Sequence, residues 1–315
     1  MSPTSSTPNS KRRELREGLS SGRLLRFPGA FSPLVAMLIE DIGFEGVYIS
    51  GAALSADLGL PDIGLTTLSE VAARSQAIAS RTSLPLLVDA DTGFGEPANV
   101  ARTTQTLELA GVSGCHLEDQ QFPKRCGHLD NKSLVPSDEM CRKIQSAVGA
   151  KSDPNFLIIA RCDARGVDGL ESAIERSKAY ADAGADMIFP EALKDETEFE
   201  AFRSAIDVPL LANMTEFGKS PLLTTEQLGN LGYNIVIYPV TSLRLAMQGV
   251  ESGLRRIAEE GGQRSVVKNM QTRQRLYELL HYESYVAVDE KLANYQSDSG
   301  GSDASSRTIP REKGA

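Results

Sequence analysis

Between residues 122 and 128 the chain reads Phe-Pro-Lys-Arg-Cys-Gly-His, setting one of only four cysteines beside two fixed cations and one of only three histidines. Lys124, Arg125 and His128 would each favour a thiolate at Cys126 and lower its pKa toward neutrality. A thiol tuned this way can give up a proton and take it back, as general acid–base catalysis requires. Gly127 permits close backbone approach to a ligand. The same residues also fit a solvated basic turn with an incidental cysteine. A second candidate is the pair Asp89 and Asp91, which in a strand would face the same side. Adjacent carboxylates repel unless a cation or a shared proton intervenes. With Glu118 they would form an all-oxygen cluster suited to Mg²⁺, which tends to retain waters. Turn and cap acids around Gly93 and Gly95 are the alternative for the same pair. Zinc is disfavoured because no His or Cys ligand spacing accompanies the acids.

The elements that must position these groups alternate. Short apolar runs (LLRFPGAF, GVYIS, PLLVDAD, GVSGCHLED, NFLIIARCD, DMIFPEA, VPLLANMTE, NIVIYPV) suit strands buried on both faces of a parallel sheet. Between most of them lie helical patterns such as TLSEVAARSQAIASR and SDEMCRKIQSAVGA, several with Ser, Thr or Asp caps and terminal glycines. Eight such runs in one chain predict a closed (β/α)8 barrel of the TIM type. A doubly wound sheet is the runner-up, but it usually carries a Gly-rich phosphate loop after an early strand, and none is present. In such barrels the C-terminal strand ends carry the chemistry. Here the runs end repeatedly in polar residues: Tyr48-Ile49-Ser50-Gly51, Asp89-Ala90-Asp91, Glu118-Asp119, Arg161-Cys162-Asp163, Glu191, Asn213-Met214-Thr215-Glu216 and Tyr238-Pro239. An ordinary helix cap suffices for Asp163 or Glu216 alone. The whole set converging on one rim implies a site, because burying charge without a partner is costly.

A hydrophobic content of 41% supplies a sizeable core, and a net charge of −9 argues against nucleic acid, which needs a clustered basic surface. No apolar run approaches the ~18 residues of a membrane span. Cys115 and Cys141 read as core fillers. The four cysteines show no CxxC spacing, so neither a zinc knuckle nor a disulfide scaffold is indicated, and a reducing, cytoplasmic compartment fits best. Residues 1–20 and 296–315, rich in Ser, Gly, Pro and charge, read as disordered tails flanking one barrel domain over 21–295. The first tail lacks the apolar stretch of a secretory signal, although its Ser and Arg content also fits a short organellar transit segment. The residues after the eighth run exceed one closing helix and are expected to pack on the barrel or reach a neighbouring subunit.

The motifs Lys124-Arg125-Cys126-Gly127-His128, LLVDADTGFG, HLED, LPDIG, FPEA, MTEFG, MQTR and LYE, in order, resemble the isocitrate lyase and phosphoenolpyruvate mutase superfamily from about residue 20 to 295. The resemblance is best to the branch that cleaves (2S,3R)-2-methylisocitrate to pyruvate and succinate in the methylcitrate cycle of propionate catabolism. It implies Mg²⁺ held by Asp89 and Asp91, with Glu118 and Asp62 in the outer shell. Ser50, Gly51 and Ala52 would bind a carboxylate of the pyruvate half; Ala52 stands where the family more often has Gly. Gly127, Arg161 and Glu191 would bind substrate near the metal. Asn213, Met214, Thr215, Arg244 and Arg273 would grip the succinate half. Tyr48 matches the base and Cys126 the acid, with Lys124 and His128 beside it, and Arg-Cys-Asp at 161–163 replaces Arg-Thr-Asp. The resemblance also implies a homotetramer that exchanges a C-terminal helix. Isocitrate lyases typically carry Lys-Lys before Cys-Gly-His and a tryptophan where this chain has Phe189. Phe189, Ile237 and Pro239 would then leave an apolar niche for an extra methyl group. Dimethylmalate lyase and oxaloacetate decarboxylase share parts of the pattern, and a non-catalytic binding barrel is the alternative of a different class.

Overall fold

The structure, a computed structural model, describes residues 6–125, 127–128 and 131–293. Eight strands appear in the expected places: β1 (Leu25–Pro28), β2 (Val47–Ile49), β3 (Leu86–Asp89), β4 (Gly114–Glu118), β5 (Leu157–Cys162), β6 (Met187–Pro190), β7 (Leu211–Asn213) and β8 (Ile235–Tyr238). All pair in parallel, β2 through β6 in sequence order and β8 between β1 and β7. Single parallel bridges, Gly29 to Tyr48 and Ile188 to Leu210, join the two sets into a closed barrel. A doubly wound sheet would have left two edges open.

The helices are α1 (Pro8–Ser20), α2 (Pro33–Ile42), α3 (Gly51–Asp57), α4 (Leu68–Ala79), α5 (Pro97–Leu109), α6 (Ser137–Ala150), α7 (Leu170–Asp182), α8 (Glu196–Ala205), α9 (Thr225–Asn230), α10 (Thr241–Glu260), α11 (Arg273–Leu279) and α12 (Tyr282–Ala293). Local chemistry explains their starts. Thr67 and Glu70 form a reciprocal capping box that opens α4, and the Ser32 hydroxyl accepts from Val35 N–H at the head of α2.

Strand alternation sorts the core in two. One set of side chains, including Val47, Val88, Cys115, Ile158, Ile188 and Val236, packs outward against the helices. The other, including Phe27, Tyr48, Leu87, Ile159, Met187, Phe189, Leu211 and Ile237, fills the barrel interior.

The expectation of a disordered tail over 1–20 is overturned for residues 8–20. Leu15 and Leu19 of α1 join the interior cluster and floor the barrel at the N-terminal strand ends. Lys11 Nζ donates to the Ala79 and Thr82 carbonyls, and Arg12 donates to the Val112 and Glu108 carbonyls. Arg12 Nη1 lies 3.2 Å from Asp153, and Arg16 Nη2 lies 2.7 Å from Asp186. Composition alone hid this. Two leucines one turn apart make an adequate apolar face, and the basic residues find carbonyls at helix C-termini and strand starts.

Where one domain was expected over 21–295, the described residues divide into two compact units, one up to residue 272 and one over 273–293. In the described part of the second, only Leu279 is buried on α11 and no residue on α12. Its two short helices stack on each other through Tyr277 and Tyr282, with ring centroids 4.7 Å apart. The tail expected over 296–315 lies outside the described residues.

Candidate active site

The inward ladder of each strand is apolar low in the barrel and polar at its C-terminal end. Leu87 is followed by Asp89, Gly114 by His116 and Glu118, Ile159 by Arg161, Phe189 by Glu191, and Leu211 by Asn213. Barrel closure therefore brings residues from five strands to one rim.

Asp89 and Asp91 do converge, but not by strand alternation. β3 ends at Asp89, and Asp91 has a φ of 47°. Its backbone turns back so that both carboxylates face Gly51. A Cβ on Gly51 would lie 2.8 Å from Asp89 Oδ2 and 3.4 Å from Asp91 Oδ1, so only glycine fits there. Gly51 N–H donates to Asp89 Oδ2 at 3.2 Å, and Ser50 caps α3 through Ala53 N–H, with Ala52 in its first turn. Lys124 Nζ lies 2.7 Å from Asp91 Oδ1 and also pairs with Asp62. Burial would raise Asp89, but neighbouring His116, Lys124 and Arg161 outweigh it and hold it at about 2. Burial and the Asp89 charge push Asp91 up to about 6.

On the opposite side, Arg161 bridges three carboxylates. Its Nη1 is 3.1 Å from Glu118 Oε2, its Nε donates to Asp163 Oδ2 at 2.9 Å, and its Nη2 is 3.4 Å from Glu191 Oε2. His128 Nε2 sits 2.9 Å from Glu191 Oε1, while His128 Nδ1 accepts from Lys219 N–H. Burial opposes ionisation of Glu191, but Arg161 and His128 pull its carboxyl well below the usual range. Asn213 Nδ2 reaches Glu191 at 3.3 Å, and its Oδ1 is buried without a hydrogen bond. Gly127 packs so closely that a Cβ would lie 2.2 Å from Arg161 Nη2.

Sequence reasoning missed His116, although it alternates with Glu118 along β4 and that alternation was the available signal. Its Nε2 is 2.7 Å from the Tyr48 hydroxyl and 3.5 Å from Asp89 Oδ1. The His116 ring stacks on Tyr48 and meets Phe189 edge-on at 5.4 Å. Burial lowers His116 to about 4 and raises Tyr48 well above the usual phenol value. At neutral pH Tyr48 keeps its proton and His116 is uncharged, and the two share one hydrogen bond between the phenol oxygen and Nε2.

Other expectations separate. Met214 faces outward into the barrel–helix core, where its sulfur accepts from Leu223 N–H at 3.2 Å, so only its backbone can serve the rim. Thr215 is half-buried beside Gly218, which packs on His128. Arg244 clamps the loop after β7, with Nη1 2.6 Å from Glu216 Oε2 and its guanidinium over Phe217. Arg273 opens α11 in the separate C-terminal unit. Phe189 and Ile237 share the interior cluster, whereas the Pro239 carbonyl packs against Gly29. Cys126 lies outside the described residues. Two of the cations expected to activate it have other partners: Lys124 serves Asp62 and Asp91, His128 serves Glu191, and Arg125 is exposed.

Among the described residues no three His, Cys, Asp or Glu side chains converge into a ready-made metal cage. The residues present nevertheless fit a hydrated divalent cation. Both Glu118 oxygens and Asp91 Oδ1 are buried without a hydrogen bond, although Arg161 and Lys124 lie within ion-pair distance. Burial pushes the Glu118 carboxyl well above its ordinary value. Mg²⁺ commonly binds through one or two carboxylates and retains waters, so it needs no complete protein cage.

A parallel barrel with this acid-rich rim defines a class of metal-assisted small-molecule enzymes. The chain belongs to the phosphoenolpyruvate phosphomutase family, which it matches over residues 15–258, and so to the isocitrate lyase/phosphoenolpyruvate mutase superfamily of enzymes. It is 60% identical over 292 residues to the probable 2-methylisocitrate lyase 2 of Corynebacterium glutamicum, covering 93% of this chain and 95% of that one. Among solved structures it is similar to oxaloacetate acetylhydrolase in complex with 3,3-difluorooxalacetate, with a TM-score of 0.86 and 34% identity over 92% of this chain and 99% of that one. It is also similar to phosphonopyruvate hydrolase in complex with oxalate and Mg²⁺, with a TM-score of 0.83 and 35% identity over 91% of this chain and all of that one. No helix among the described residues is long and apolar enough to cross a membrane.

Proposed function

We propose that this chain is a Mg²⁺-dependent carbon–carbon lyase that cleaves (2S,3R)-2-methylisocitrate to pyruvate and succinate, the cleavage step of the methylcitrate cycle. The observation that carries this reading is the rim itself. Asp89 and Asp91 lie on one side and Glu191 and Asn213 on the other, with the Glu118–Arg161 pair joining them, over an apolar floor that includes Phe189 and Ile237. The likeness to the C. glutamicum relative supports the choice of substrate.

Among the described residues the rim carries five buried carboxylates, Asp89, Asp91, Glu118, Asp163 and Glu191, against three buried cations, Lys124, Lys132 and Arg161. A tricarboxylate approaches such a surface only with additional positive charge. Asp89 and Asp91 would hold Mg²⁺, with Glu118 and Asp62 behind them; when bound, the ion supplies Lewis-acid polarisation of the substrate hydroxyl and its neighbouring carboxylate. The Tyr48 hydroxyl takes the substrate hydroxyl proton as it passes its own to His116 Nε2, 2.7 Å away. The bond between the carbinol carbon and its neighbour then breaks. Its electron pair stays on the succinate fragment, whose charge Arg161 and Asn213 stabilise. Cys126 donates the proton that completes succinate, and Gly51 and Ala52 hold the pyruvate carboxylate.

The same reading makes the protein a cytoplasmic homotetramer. In support, α10 leaves Leu245, Met247, Val250, Leu254 and Ile257 exposed, a stripe suited to a second copy.

The test is a pyruvate- and glyoxylate-coupled assay with 2-methylisocitrate, isocitrate, 2,3-dimethylmalate and oxaloacetate, before and after chelation. One methyl group in an apolar niche is worth roughly 10–200-fold in kcat/KM. That is the expected preference for 2-methylisocitrate over isocitrate, with activity abolished by chelation and restored by Mg²⁺. Equal kcat/KM for the two substrates would sink the substrate choice. Full activity after exhaustive chelation would remove the metal.

A further inference from the structure

A helix cap would suffice for Asp163 taken alone. In the structure its side chain makes no capping hydrogen bond and is fully buried, with its carboxylate joining two parts of the rim. It accepts from Arg161 through both oxygens, at 2.9 and 3.1 Å. Its Oδ1 also accepts from Lys132 Nζ at 2.8 Å and Gln120 Nε2 at 3.3 Å. Both of these donors belong to the connection between β4 and α6, which carries Lys124, Gly127 and His128.

Each donor also grips that connection. Lys132 Nζ donates to the Gly127 carbonyl at 2.5 Å, and Gln120 brackets Arg125 by donating to its carbonyl at 2.8 Å and accepting its N–H at 2.9 Å. The neck is closed by an antiparallel bridge between Gln120 and Leu134 and by Gln121 N–H on the Ser133 carbonyl. Asp163 is braced from behind, since its own N–H donates to Asp119, whose other oxygen accepts the Tyr180 hydroxyl.

We propose that Lys132 and Gln120 are positioning residues that latch the backbone of Arg125 and Gly127 onto Asp163, so that one buried carboxylate sets both Arg161 and the residues that lead to His128. The assignment of catalytic roles to those residues rests on the lyase reading above; the latch itself does not. Neither residue touches substrate. Their effect is to hold Gly127 against Arg161 and His128 against Glu191, where displacement by about 1 Å costs on the order of a hundredfold in rate.

The experiment compares wild type with Lys132→Met and Gln120→Ala by hydrogen exchange and steady-state kinetics, using the full chain. Lys132→Met keeps the aliphatic stem and leaves Asp163 paired with Arg161, so the barrel is expected to fold. Amides in peptides covering 121–131 are expected to exchange about tenfold or more faster, while those of β5 keep wild-type protection. The value of kcat should fall about tenfold to a hundredfold with KM changed less than about threefold, because Gly127 and His128 are misplaced in the transition state more than in binding. Gln120→Ala should act in the same direction and more weakly. If Lys132→Met does not fold, Lys132→Gln, which keeps a donor for the Gly127 carbonyl, takes its place with intermediate effects expected. Unchanged exchange over 121–131 overturns the latch, whatever the substrate proves to be. Absence of 2-methylisocitrate cleavage by wild type strikes the lyase reading alone, since exchange still reports on the latch.

Discussion

Replacing Leu15 by alanine tests whether α1 is a structural floor. Leu15 is 1% exposed and packs with Leu19, Leu25, Leu157 and Ile235 in the barrel interior. Buried Leu→Ala changes cost about 2–5 kcal/mol, more where the site cannot collapse. Leu15 sits against strand residues whose positions are set by the barrel, so relaxation is limited and about 3 kcal/mol is the working value. For a domain of this size each kcal/mol lowers Tm by roughly 2–4 °C, giving a drop of about 6–12 °C. Thermal melts by circular dichroism measure it, with Glu14→Ala on the exposed face of α1 as a control expected within about 0.5 kcal/mol. Turnover at 25 °C should be preserved, because the rim lies at the other end of the strands. A melting temperature within about a degree of wild type would refute the floor and return residues 8–20 to the status of a leader.

The acid limb of stability should carry a contribution from Asp153. Burial tends to raise its carboxyl, but the Asn155 N–H and Arg12 outweigh it and hold it below the ordinary value. A depressed carboxyl stabilises the fold above its unfolded pKa of about 3.9, and that contribution is lost as pH falls through the folded value. Asp153→Asn should therefore lower stability at pH 7 and flatten its fall below about pH 4, read from urea melts across pH; an identical slope in the variant would contradict the pairing. Thiol chemistry supplies another check. Burial pushes Cys115 up to about 12 and Cys162 well above its ordinary value, and it also raises Cys141. Iodoacetamide at neutral pH should modify about one thiol per chain, located at Cys126 by peptide mapping. Comparable labelling of two or more cysteines would remove the special status of Cys126.

Much of this molecule was legible because its determinants are local. Strand alternation and helix caps act over a few residues, so the eight runs, the helix at Leu68–Ala79 and the polar strand ends could be read directly. The rim residues Asp89, Glu118, Arg161, Glu191 and Asn213 were legible for the same reason: polar groups ending buried apolar strands need partners, and a barrel supplies them at one end. Partner identity was not legible. Whether Lys124 serves a thiolate or the carboxylates of Asp62 and Asp91 depends on a long connection folding back over β3. His116 gained its role by meeting Tyr48 from another strand, and Asp163 by receiving Lys132 and Gln120. The amphipathic face of α1 was too small to signal burial until the barrel offered a floor to fill. Periodicity is a property of the chain itself, whereas the pairing of charges across tens of residues exists only after closure of the barrel removes them from water.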